Sequence, residues 1–237
     1  MKLLTCLLTL WIATPATTAI TSADRERPRK YAVYKAHTIL PGSLRFLVQK
    51  NGRSLFAGLA LGLKEPSIEI NENRILLETR KISNMVNSHK PFRDVVFQMG
   101  FVSGLLAVHT DPARNSPTHV RNGFDYYLNW KLHRYHFVFD GYRNLATSEQ
   151  NLLAELRRLN RLASVQQGLL VDRYNQVNRN SFHPFSERSA VFGVCSLYYS
   201  NVARVSAHLW YYAWSQANGD LTETPFVEPQ RTLPRGW

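Results

Sequence analysis

The chain has 237 residues, a net charge of +12 and two cysteines. That length suits one domain with a real core. Beyond the first twenty residues no stretch reaches roughly eighteen apolar residues without charge, which argues against a membrane-spanning helix. Only Cys195 lies outside the first twenty residues, so an intramolecular disulfide is excluded from the remainder. Much of the positive excess is arginine. Arginine grips phosphate bidentately, which makes anionic lipid, cell-envelope polymers and nucleic acid all sensible partners.

Residues 1–23 read as an export signal: Met1-Lys2 supplies charge, 3–12 an apolar run, and Thr17-Thr18-Ala19 a small-residue cleavage site. A secreted or periplasmic protein is therefore expected, with Cys6 too early in the run to attach a lipid. The charged segment 24–31 is expected to be extended and solvated. From Tyr31 to Leu40 the chain is amphipathic, stopping at Pro41-Gly42 with His37 just ahead. A short helix over 43–49 carries Leu44 and Leu47, and 54–63 is small and apolar, ending at Lys64-Glu65-Pro66.

A further helix over 72–86 shows Ile75, Leu76, Thr79, Ile82 and Val86 on one stripe. The most apolar stretch follows. Val95, Met99, Val102, Leu106 and His109 share a face, and Gly100 and Gly104, four residues apart, let a neighbouring backbone come close. This central helix runs into a loop over 111–122, delivering His109 and Asp111 at its end. Loops of that length often carry function.

Residues 123–143 alternate aromatic and basic side chains, among them Tyr126, Trp130, His133, Tyr135 and His136. The pattern fits a long buried helix with snorkelling Lys131 and Arg134; it also suits stacking on nucleic acid. Thr147-Ser148-Glu149-Gln150 opens a helix of about thirty residues with a capping-box pattern. A last helix starts near Ser186 or Ser189 and stops at Asn218-Gly219. The tail from about 219, with Pro225, Pro229 and Pro234, is expected to be irregular. The sum is a single all-α domain over 24–237.

Several histidines stand near acids. His136 and Asp140 are four apart, so on a helix they would face one way and share a metal; a turn at Asp140-Gly141 would break that geometry. His109 and Asp111 meet at a helix end, while His119, His183 and His208 read as loop, turn and half-buried helix residues. Arg114, Arg121 and Arg134 suit either a phosphate-binding surface or a solvated basic rim. Gly-x-Ser-x-Gly, Gly-Lys-Ser/Thr and paired-cysteine motifs are missing from the sequence.

The His37-Thr-Ile-Leu-Pro41 opening, the helix running into Asp111-Pro112 and the aromatic last helix together resemble the zinc-dependent phospholipase C family. That family shares its fold with single-strand-specific nucleases. The resemblance covers roughly 31–218 and implies the helical phospholipase C arrangement, with a zinc cluster held by His, Asp and Glu. The metals would activate a water that attacks a phosphodiester. On this resemblance His37 matches the early histidine ligand, Glu65 the early acidic ligand, and His136 with Asp140 the later pair. Where the family has Leu-Gly-x-x-x-His-x-x-x-Asp, Gly104 stands for the histidine and Val108 for the aspartate. His109 and Asp111 would have to compensate, with Arg114 or Arg121 orienting phosphate.

Two functions are therefore expected. One is an exported zinc-dependent phosphodiester hydrolase, acting on a phospholipid or other phosphodiester, with impaired or lost metal binding. The other is a non-catalytic envelope protein that keeps the fold and binds anionic partners through its basic surface.

Overall fold

The structure is a computed structural model, which describes residues 21–142, 146, 148–177 and 185–225. Its regular elements are eight α-helices, with no strand among the described residues. They are α1 (Ser22–His37), α2 (Gly42–Lys50), α3 (Gly52–Gly62), α4 (Glu72–Asn87), α5 (Phe92–His109), α6 (Thr118–Trp130), α7 (Glu149–Gln176) and α8 (Ala190–Gln216). Short 3-10 turns cover Ser67–Glu69 and Leu132–Arg134. The expected all-α class holds. The export signal falls almost wholly on residues outside those described, as do His183, Pro229 and Pro234.

The two most apolar helices are at the centre. α5 buries Val95, Met99, Val102 and Leu106 along one face and Val96, Gly100, Ser103 and Ala107 beside it, as a helix apolar nearly all round must. α8 crosses it, and Trp210, fully buried, donates its Nε1–H to the Met99 carbonyl at 3.0 Å. The two halves of α8 serve two adjoining core regions. Val205, Leu209 and Trp210 pack with α2 to α5 and α7; Val191, Cys195, Tyr198 and Val202 pack with α6 and Ala107. Cys195 is a free, fully buried thiol, and burial pushes its ionisation far up.

α3 and α5 share the most extensive helix pairing. A side chain on Gly58 would strike the Phe97 backbone, one on Gly100 the Leu55 backbone, and one on Gly104 the Gly62 backbone. The close approach expected of Gly100 and Gly104 is thus met by a reciprocal pair of glycines on α3.

The caps follow sequence. Asn71, Ser148 and Ser189 each accept from the backbone N–H three residues on, opening α4, α7 and α8. α7 is tied to α8 by Glu155, which accepts from Arg158 Nε at 2.7 Å and from Arg204. Burial would raise the Glu155 carboxyl, but those two guanidinium groups hold it down, at about 2.

Three expectations change. Segment 24–31 is helical, and Arg29 within it is buried rather than solvated. The 123–143 helix is shorter than expected: α6 starts at Thr118 and ends at Trp130, and 135–140 has no regular structure. Pro117, whose ring is pre-set for a helix start, shortens the preceding loop to 111–117. His208 is fully buried, its ring nitrogens 2.8 Å from the Arg204 carbonyl and 3.0 Å from the Gly141 carbonyl.

Candidate functional site

Two polar clusters lie at the C-terminal end of α5, where the sequence placed its chemistry. In the first, Arg29 reaches from α1 into the interior. Its Nη2 lies 2.8 Å from Asp111 Oδ2 and 3.0 Å from Asp125 Oδ1. Its Nε donates to the Tyr198 hydroxyl at 3.1 Å, and that hydroxyl donates to the Ala107 carbonyl at 3.1 Å. Arg25 adds a second, more exposed guanidinium 3.5 Å from Asp125 Oδ2. Asp111 also caps its own loop by accepting from the Ala113 N–H at 2.8 Å. Burial raises the Asp111 carboxyl, and Arg29 opposes that rise.

The second cluster is on the other side of the α5 terminus. His109 is 1% exposed, and neither ring nitrogen meets hydrogen-bond geometry. Its Nε2 is 3.5 Å from Glu72 Oε1. Arg114 donates to the His109 carbonyl and to Asn160 Oδ1, each at 2.8 Å, and Asn160 Nδ2 donates to Glu72 Oε1 at 3.2 Å. Burial keeps His109 neutral to lower pH than usual; Glu72 opposes that effect and Arg114 adds to it.

The sequence-predicted ligands do not converge. His37 turns its Nδ1 to the carbonyl of Tyr34 on its own helix. Glu65 is paired with Arg74 in α4. Asp111 is held by Arg29, while His109 faces Glu72. His136 and Asp140 are exposed on a segment outside any helix, so the helical spacing that would have aligned them is missing; Gly141 beyond it has a positive φ of 89°. Among the described residues no three His, Cys, Asp or Glu side chains gather as a metal would require. The zinc cluster implied by the resemblance does not fit these residues. Arg114 is committed inside the second cluster, and Arg121 is exposed on α6.

Sequence reasoning missed a surface feature. Between α1 and α6 runs an open cleft of about 760 Å³, with Arg27, Lys30, Tyr31, Tyr34, Tyr126 and Trp130 among its lining residues and no acidic one. A second cleft of about 550 Å³ adjoins it across Tyr31 and includes Lys35, His136 and Tyr199. The Tyr31 ring lies near-parallel to both Tyr34 and Tyr199, at centroid distances of 6.4 and 6.0 Å. Lys131 Nζ sits 4.0 Å over the Trp130 ring. The aromatic and basic alternation of 123–143 was the available signal. The contribution of α1 was hidden because its charged start read as a solvated leader.

No family model matches the sequence, and no curated protein does. Among solved structures the chain is similar to the alpha-toxin of Clostridium perfringens from an avian strain, with a TM-score of 0.49 and 12% identity. The match covers 83% of this chain and 64% of the toxin chain, so the chain spans less than two thirds of that protein's length. The likeness is one of helix arrangement and carries no residue role across.

Proposed function

We propose that this chain is an exported, non-catalytic binding protein, built on a phospholipase C-like helical scaffold, that holds anionic envelope partners on its α1–α6 face. The observation carrying this reading is the pair of adjoining clefts, rich in tyrosine, with Arg27, Lys30 and Lys35 along them and no acid among their described lining residues, though Lys30 also pairs with Glu26. Aromatic rings with lysine and arginine beside them suit the phosphate-bearing interface of an anionic lipid layer. The competing reading, a zinc-dependent hydrolase of phospholipid or another phosphodiester, asks for a converging ligand cluster, whereas Glu65 and Asp111 pair with arginines, His37 turns to a backbone carbonyl and His136 and Asp140 stand exposed.

Two measurements on the purified chain separate these readings. Elemental analysis is expected to find no stoichiometric zinc, and chelator is expected to leave the melting temperature unchanged. Retained zinc that is lost on His37→Ala would reject the proposal. In co-sedimentation, vesicles containing anionic phospholipid are expected to bind the chain and zwitterionic ones to leave it in solution. Each basic residue near such a surface contributes about 1 kcal/mol, so Arg27→Ala and Lys30→Ala should each weaken binding about fivefold. Equal binding of both vesicle types, or no effect of either variant, would also end the proposal.

A further inference from the structure

The second cleft is a chamber with its own chemistry. It lies between α1, the 135–139 segment and α8, with a volume of about 550 Å³ and neither an acid nor an arginine among its described lining residues. Its 135–139 wall is fastened to α8 at Ser200, whose Oγ accepts from the Val138 N–H at 3.1 Å and donates to the Val138 carbonyl at 3.4 Å. Tyr31, Tyr135, Phe137, Phe139 and Tyr199 supply aromatic walls. The Tyr31 and Tyr135 rings lie 6.0 and 5.8 Å from that of Tyr199, centroid to centroid. A space of this size walled by rings suits a small, flat molecule.

Two polar groups of the cleft are unmatched. Lys35 is half-buried, with its Nζ 5.3 Å from the centre of the Tyr31 ring. Lys30 on the same helix pairs with Glu26, but Lys35 has no carboxylate partner among the described residues. The Tyr199 hydroxyl is closed to solvent and meets no hydrogen-bond partner among the described residues. Burial keeps it protonated, so it is a donor. A buried donor without an acceptor is unfavourable. Both groups therefore call for an acceptor from outside the chain. A single ammonium matches the one charge of a carboxylate, whereas a phosphate dianion is served better by the arginine fork that this cleft lacks.

We propose that the second cleft binds a small aromatic carboxylate, its ring among Tyr31, Tyr135 and Phe137 and its acid group on Lys35 and the Tyr199 hydroxyl. The inference rests on the reading of this face as one that receives anions. It adds a ligand that sits in one cleft, which neither Arg27 nor Lys30 lines.

Calorimetric titration of the full chain with phenylacetate tests it. A dissociation constant of order 0.1–1 mM is expected. Phenylacetamide, with the ring and no charge, and acetate, with the charge and no ring, should each bind at least about tenfold more weakly. Lys35→Met should weaken phenylacetate about tenfold and Tyr199→Phe severalfold. Because that hydroxyl bonds to no other part of the described protein, Tyr199→Phe should leave the melting temperature unchanged, whereas a structural role would lower it. Arg27→Ala should weaken vesicle binding and leave phenylacetate binding as it was. No heat of binding up to about 10 mM, equal binding of phenylacetamide, or binding indifferent to Lys35→Met overturns the proposal. The two readings fail separately: vesicles bound without phenylacetate end this one alone, and phenylacetate bound without vesicles ends the lipid-surface reading alone.

Discussion

Replacing Gly100 by alanine tests the packing at the centre of the molecule. In an isolated helix the change would be favourable by about 1 kcal/mol, since glycine is the poorer helix former. Here the added methyl would sit 2.9 Å from Leu55 C and Leu59 N, and closer still to Leu55 O. Carbon atoms rest at about 3.5–4.0 Å. The obstructing atoms are backbone in α3, so no side chain can swing aside. The helices would have to part, and the reciprocal contacts at Gly58, Gly62 and Gly104 would part with them. Overpacking of this kind costs about 1–3 kcal/mol and reverses the propensity gain. The net loss should be about 1–2 kcal/mol, lowering the melting temperature by roughly 2–8 °C in a chain of this size. Gly168→Ala in α7 is the matched control, because a methyl there meets nothing within 4 Å. It should raise stability by about 1 kcal/mol. Urea unfolding followed by circular dichroism measures both. A Gly100→Ala chain as stable as Gly168→Ala would refute the reasoning.

Acid should loosen the α7–α8 tie. Glu155 is held at about 2 when folded, against an ordinary 4.5. Its contribution is therefore complete above pH 4.5 and is lost as pH falls from there toward 2. With Arg158 half exposed, screening reduces the contribution to roughly 1–2 kcal/mol. Glu155→Gln should flatten the acid limb of a stability–pH profile; an unchanged limb would count against it. Tyr198→Phe removes the hydroxyl that links Arg29 to the Ala107 carbonyl, and should cost about 1–3 kcal/mol by urea titration. Ser189→Ala deletes the α8 cap bond to Phe192 N–H and should cost about 1 kcal/mol, while Ser189→Gly costs only a few tenths.

Most helices were legible because each buries one periodic stripe or is apolar throughout. The stripes of α4 and α7, the glycine pair of α5 and the Ser148 and Ser189 caps all carry local signals that tertiary packing leaves intact. α1 was illegible at its start for an equally physical reason. A run of charged residues around Pro28 has no apolar stripe, and what holds it in a helix is a guanidinium bonded to two aspartates 82 and 96 positions away. No local pattern encodes such a pairing.

The candidate site was legible in part. His109 and Asp111 do lie at the end of α5 and just beyond it, but their partners were invisible. Glu72 and Asn160 meet His109 and Arg114 only through the fold, and Asp125 sits among aromatics that drew the reading toward α6 itself. His136 and Asp140 failed on local geometry. No helix runs through 136–140, and Gly141 beyond them has a positive φ of 89°.

The lone thiol offers a clock. In a preparation beginning at Ser22, Cys195 is the one group a disulfide reagent can modify, and it sits wholly enclosed between α6 and α8. Reagent can reach that sulfur only when this half of the molecule opens. The labelling rate therefore counts opening events under native conditions, without denaturant. Slower labelling on adding a partner would reveal engagement even when binding leaves every spectrum unchanged.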